Sequence, residues 1–182
     1  MIKTSDILDE SNKILRAKNK EVTFPLSKEK KQLIEDMLKH LYYSQIEKYS
    51  KKYDLRPGMG LAAPQMGVNE RFFVICHEEE ENTFKNYILI NPQMISHSEE
   101  LIYASEGEGC LSVNRDVAGI VPRYARVTFT GFDLDGKPVK YRAREELSIA
   151  FQHEMDHLNG ILFIDHIDPL NPYKNKDYMR EI

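Results

Sequence analysis

The chain has no tryptophan and only two cysteines in 182 residues. So few cysteines exclude a disulfide-stapled scaffold, and in a reducing compartment Cys76 and Cys110 stay unpaired. It also lacks long apolar runs, and nothing approaches the roughly 20 residues of a membrane span. Met1–Glu21 is charged throughout and has no apolar core of the signal-peptide kind, so a cytoplasmic location is expected. A basic surplus is missing as well. Lys and Arg number 25 against 29 Asp and Glu, for a net charge of −4. No global basic field therefore argues for nucleic acid or an anionic membrane as partner. No internal repeat or low-complexity tract is visible. What is present suffices for one core, since apolar residues make up 41%. The length fits a single domain over 1–182, with an N-terminal arm (1–26) and an irregular C-terminal tail (166–182).

The coarse pattern reads helix, strands, hairpin, helix. Ser27 caps a long amphipathic helix running to about Tyr49, with Leu33, Ile34, Met37, Leu38, Leu41, Tyr42 and Ile46 at helical spacing. Arg56 to Gly67 contains Pro57, Gly58, Gly60, Pro64 and Gly67, which breaks any helix. A small-residue loop in a charged chain suggests close backbone approach to something. Arg71–Cys76 and Tyr87–Asn91 read as strands, separated by an acidic turn over His77–Lys85. Ala125–Asp133 and Lys137–Arg144 flank Asp135-Gly136, a strong hairpin signal. Glu145–Asn159 reads as the second helix, ended by Gly160. The expected fold is α+β, with antiparallel sheets packed around a central helix.

That second helix carries His153-Glu154-Met155-Asp156-His157. Residues at i and i+4 share one helical face, so the two imidazoles can hold one metal ion. Two histidines on a solvated surface would be the bland alternative. Leu147, Ile149, Ala150, Phe151, Met155 and Leu158 make the helix apolar on several sides, however. Such a helix is covered, and unpaired imidazoles inside it would be costly. An open catalytic centre takes three protein ligands. Cys110, in the bend Glu108-Gly109-Cys110-Leu111-Ser112, fits the third place best. His166 is a rival whose expected role is structural. Cys76 ends the run Phe72–Cys76 and reads as a core thiol. Two histidines and a cysteine also suit blue copper, but electron transfer needs no carboxylate between its ligands. A hydrolase does need one. Glu154 can take a proton from water and hand it to the leaving amine.

Three segments together resemble the signature motifs of the bacterial peptide deformylases. They are Gly58-Met59-Gly60-Leu61-Ala62-Ala63-Pro64-Gln65, Glu108-Gly109-Cys110-Leu111-Ser112 and Gln152-His153-Glu154-Met155-Asp156-His157, in that family's order. The resemblance runs from Ile14-Leu15-Arg16 to Phe163. The spacer before Val121-Pro122-Arg123 and the proline-bearing tail are similar to the second, Gram-positive type. Asn114 departs from the pattern, since many members have proline there; this touches loop shape and leaves the ligands intact.

The resemblance implies removal of the N-formyl group from the initiator methionine of nascent polypeptides, with release of formate. Cys110, His153 and His157 would bind one divalent metal, Fe2+ as in the family, with Zn2+, Ni2+ or Co2+ able to take its place. Glu154 would be the general base and then the acid. Gln65 through its side-chain amide and Leu111 through its backbone N–H are the expected donors to the developing oxyanion. Gly60 would let a peptide lie along its backbone as an added strand. Met59, Ile149 and Ala150 are candidate lining for an apolar pocket holding the methionine side chain, although plain core packing explains them nearly as well. Arg123 would pair with Glu108 and steady the cysteine loop. N-formylmethionyl nascent peptides would be the partners, with ribosome association by the tail left open and no nucleic-acid or membrane site evident. The alternative is a zincin-type metallopeptidase, which ordinarily takes His or Glu as third ligand. A non-enzymatic metal-bound module is the third reading.

Overall fold

Phe72–Cys76 is apolar at every position because both faces of its strand are covered. The computed structural model describes residues 1–182. Phe72, Val74 and Cys76 pack with Ile34, Met37 and Leu41 of a helix on one face. Phe73 and Ile75 pack with Phe151 and Leu158 of another helix on the opposite face. The strand alternation of side chains thus feeds two cores.

The helix on the first face is α1, Lys28–Gln45, and Ser27 caps it by accepting from the Lys30 N–H. It stops earlier than the periodicity suggested. Ile46 is extended, and a separate helix α2 covers Glu47–Tyr53. At the break the Ser44 hydroxyl donates back to Leu41 O, at 2.8 Å. The Gln45 amide donates to Cys76 O, at 2.9 Å. Such bonds compete with a continuous helix. The change of direction stacks Tyr49 and Tyr53 on Tyr43, with ring centroids 4.6 and 5.8 Å away.

A five-stranded sheet has the order β1-β2-β3-β6-β7 and is antiparallel throughout. Its strands are β1 (Gly60–Ala62), β2 (Phe72–Glu80), β3 (Thr83–His97), β6 (Arg126–Phe132) and β7 (Pro138–Arg144). The broken pattern after Arg56 therefore contains an edge strand, followed by a 3-10 turn over Ala63–Met66. The acidic stretch expected as a turn is mostly strand. His77 to Glu80 pairs with Thr83 to Lys85, and Asn82, at a positive φ of 61°, makes the reversal. The Asp135-Gly136 hairpin is present, with Val127 paired to Ala143 and Phe129 to Tyr141.

A second sheet holds β4 (Leu101–Tyr103), β5 (Arg123–Tyr124) and β8 (Arg180–Glu181). Here one expectation is corrected. The tail is not wholly irregular, because β8 joins this sheet, and β8 pairs with β4 in parallel. Backbone pairing supplies order that the polar sequence of the tail did not advertise. Helix α3, Glu145–Leu158, lies between the two sheets and carries the histidines. No helix is long and apolar enough to cross a membrane.

Candidate metal centre

Helix α3 buries Ile149, Phe151, Gln152, His153, Glu154, His157 and Leu158. Its end is fixed by Gly160, which adopts a positive φ of 75°. A Cβ there would lie 2.5 Å from the Arg16 carbonyl oxygen, so glycine lets the N-terminal arm cross the helix end. The Gln152 amide oxygen accepts from Tyr124 N–H, at 3.0 Å, and ties the helix to β5.

Cys110, His153 and His157 come together. One donor atom from each lies within 4.8 Å of the others. Cys110 Sγ is 3.3 Å from His157 Nε2. The Ser112 N–H donates to the same sulfur, at 3.4 Å. His153 Nδ1 is engaged by Glu108 Oε2, at 2.8 Å, which leaves the other ring nitrogen free to face the thiol. His157 Nδ1 and Glu154 Oε2 are buried without a protein partner. Burial opposes charge on His153, but its bonds to Cys110 and Glu108 outweigh that and hold its pKa well above the ordinary value. Burial, reinforced by the charge of His153, holds His157 well below. A site with one thiol, two imidazoles and orphaned buried polar atoms fits a divalent cation of the Fe2+ or Zn2+ kind.

Glu154 stands beside these groups. Burial pushes its carboxyl up to about 7, against the opposing charge of His153. Gly60 explains itself here: a Cβ at that position would collide with the Glu154 carboxylate. The close approach suggested by the glycine-rich loop is thus an approach to Glu154. Gly60 also lies in β1, at the sheet edge, where a peptide could still be added.

Gln65 is buried in the 3-10 turn. Its Oε1 accepts from Ala62 N–H, at 2.8 Å, and its Nε2 donates to Ser112 Oγ, at 3.0 Å. The same nitrogen is 3.7 Å from Cys110 Sγ. In the cysteine turn Val113 N–H donates to Cys110 O and Ser112 N–H to Cys110 Sγ, whereas Leu111 N–H takes no part in that pairing. A cavity of about 650 Å³ is lined by Met59, Gly60, Gln65, Cys110, Leu111, Ile149, Ala150, His153 and Glu154. His157 and Arg123 are buried and do not line it.

Arg123 is nearly inaccessible at 3% and grips Glu108 through two bonds, of 2.7 and 3.0 Å. It also reaches Asp156 Oδ2, at 2.6 Å, which in turn holds His166 Nε2, at 2.7 Å. Burial alone would raise Glu108, but Arg123 and His153 bring it down to about 2. His166 is thereby placed in a supporting chain and not among the candidate ligands.

Three contributors escaped the sequence reading. Asp156 lay in plain sight between the histidines but has no role in the metal pattern itself. The Arg56 guanidinium donates to Cys110 O, at 3.0 Å, to Val113 O, at 3.3 Å, and to Asn114 Oδ1, so the atypical asparagine is part of the loop's brace. The N-terminal arm is the third. Leu8 N–H donates to Gln65 O, at 2.9 Å, and Glu10 N–H to Ser112 O, at 2.7 Å.

Comparison with known proteins follows the same lines. The family described as polypeptide deformylase matches residues 4–173. A peptide deformylase of Macrococcus caseolyticus is 49% identical over 96% of this chain and 95% of its own length. Peptide deformylase 2 of Geobacillus stearothermophilus is 45% identical over 97% and 96%. Among solved structures, the peptide deformylase of Thermotoga maritima superimposes with a TM-score of 0.70 at 32% identity, covering 90% of this chain and 97% of that one.

Proposed function

The chain belongs to the polypeptide deformylase family, and from that premise we propose that it removes the formyl group from N-formylmethionyl peptides, releasing formate and a free α-amine. The observation that carries the reading is the convergence of Cys110, His153 and His157 beside the partnerless Glu154 in one cavity. We take residues 1–182 as one catalytic unit acting in the cytoplasm on nascent chains.

Cys110, His153 and His157 would hold one divalent ion, Fe2+ in our reading, with Zn2+, Ni2+ or Co2+ as substitutes. When bound, such an ion supplies a Lewis acid that lowers the pKa of water and polarises a carbonyl. The chain's own residues do the rest. Glu154, with a carboxyl poised near neutrality, accepts the proton of the attacking water at a carboxylate oxygen. It then returns that proton to the amine nitrogen as the carbon–nitrogen bond breaks. Leu111 N–H and Gln65 Nε2 donate to the formyl oxygen as it gains negative charge. Gln65 is supported in this role because its contact to sulfur is long and easily exchanged. Its bond to Ser112 keeps the amide aimed. Glu108, clamped by Arg123, fixes the tautomer and angle of His153. The free edge of β1 at Gly60 would pair with the peptide backbone, while Met59, Ile149 and Ala150 would receive the methionine side chain.

A zincin-type peptidase is the reading to be separated from this one. Incubation with formyl-Met-Ala-Ser and with an unformylated peptide of similar length does so. Formate release from the first with no cleavage of the second is the expected result. Internal cleavage without formate would overturn the proposal.

A further inference from the structure

The tail contributes more than a surface strand. Ile182 lines the same cavity as Cys110, His153 and Glu154. It packs with Ala104 against the small cluster of Ile102, Ala125 and Ile149. Its position is held on both sides: Ile182 N–H donates to Tyr103 O, at 3.0 Å, and Ser105 N–H donates to Ile182 O, at 2.9 Å. Two residues earlier, Arg180 bridges Glu100, at 2.8 Å, and Glu145, at 2.7 and 2.9 Å. Glu145 opens α3 and itself faces the cavity. The tail is thus fastened to the first turn of the helix whose later turns carry His153 and Glu154.

Helical rise sets the distance between this wall and the residues of the candidate centre. Ile149 precedes His153 by about 6 Å and Glu146 precedes Glu154 by about 12 Å, at about 1.5 Å per residue. An extended peptide advances about 3.4 Å per residue. The patch made by Ala104 and Ile182, which continues the apolar lining beyond Ile149, therefore lies within reach of the residues that follow the initiator methionine. We propose that β8 and Ile182 form part of the substrate cavity and select an apolar side chain at those following positions. This rests on the deformylase reading given above. Ile182 acts by direct contact with the peptide, and Arg180 is a positioning residue that holds the strand against Glu145.

The test compares formyl-Met-Leu-Leu with formyl-Met-Gly-Gly, measuring kcat and KM by formate release for the parent protein and for Ile182→Ala and Ile182→Val. The proposal expects Ile182→Ala to raise KM for the leucine peptide about tenfold, the loss typical of removing methylenes from an apolar pocket. Its kcat for that peptide and its KM for the glycine peptide should stay within about twofold, since only binding to the following residues is removed. Ile182→Val should recover most of the leucine preference. Equal KM changes for both peptides, or no change in a variant with the parent's melting temperature, overturn this inference alone. A parent protein that releases no formate from either peptide overturns the deformylase reading, and this inference with it.

Discussion

The two cysteines show how little a residue's identity says without its surroundings. Cys76 faces a sealed core, and burial raises its thiol to about 11. At pH 8 its thiolate fraction is then about one in a thousand. Iodoacetamide at pH 8 should therefore label Cys110 in metal-stripped protein and leave Cys76 unmodified, as peptide mass mapping will report. Labelling of Cys76 in the folded state would contradict the packing. Gly60 is a second case. Its hydrogen leaves room for the Glu154 carboxylate, so Gly60→Ala must displace that carboxylate or bend β1. The expected result is a folded protein whose kcat falls at least about tenfold, the usual consequence of misplacing a catalytic group. An unchanged kcat would show that Glu154 adjusts freely. The glycine-rich loop signalled close contact, but only the fold names the contact as Glu154.

At the scale of elements, the cysteine loop, β5 and α3 are joined by one buried cation. Arg123 holds Glu108 and Asp156, which in turn hold His153 and His166. Removing one partner of a buried ion pair costs about 3–5 kcal/mol, because the remaining charge is stranded. Arg123→Ala should lower the denaturation free energy by that amount and weaken metal retention about 10–100-fold. Denaturant titration with metal analysis of the dialysed protein checks both. The arm gives a further prediction. His40 of α1 is fully buried, with Nδ1 bonded to Ile2 O, at 3.0 Å, and Nε2 without a partner. Burial lowers its pKa below 6.5, only partly offset by the Ile2 bond and Asp6. The unfolded chain then binds the proton more readily than the folded one, so stability falls as pH drops below about 6.5. His40→Gln should flatten that slope in melting curves between pH 5 and 7. Elements with strong periodicity or turn chemistry were legible: the capped start of α1, the β6–β7 hairpin and α3 up to Gly160. The break at Ile46 and the parallel strand β8 were not, because both depend on partners distant in sequence. Gln45 reaches Cys76 across 31 residues, and β8 finds β4 across nearly eighty.

For the whole molecule, the site is assembled from four distant parts. The turn at Gln65, the cysteine loop, α3 and the N-terminal arm meet at one place through contacts distant in sequence. The clustering of His153 with His157 was readable from their helical spacing, and Cys110 from the glycine bend that carries it. The bracing by Arg56, Asp156 and the arm was hidden, since arginine, aspartate and backbone amides carry no metal pattern of their own. In the proposed reaction Glu154 moves the proton while Cys110, His153 and His157 hold the metal. The most direct measurement of this is formate release from formyl-Met-Ala-Ser by anaerobically purified Glu154→Gln, with metal content determined on the same sample. The prediction is about one metal ion per chain and a rate at least about a hundredfold below the parent, the scale of lost general-base catalysis. Deformylation at the parent rate would contradict it.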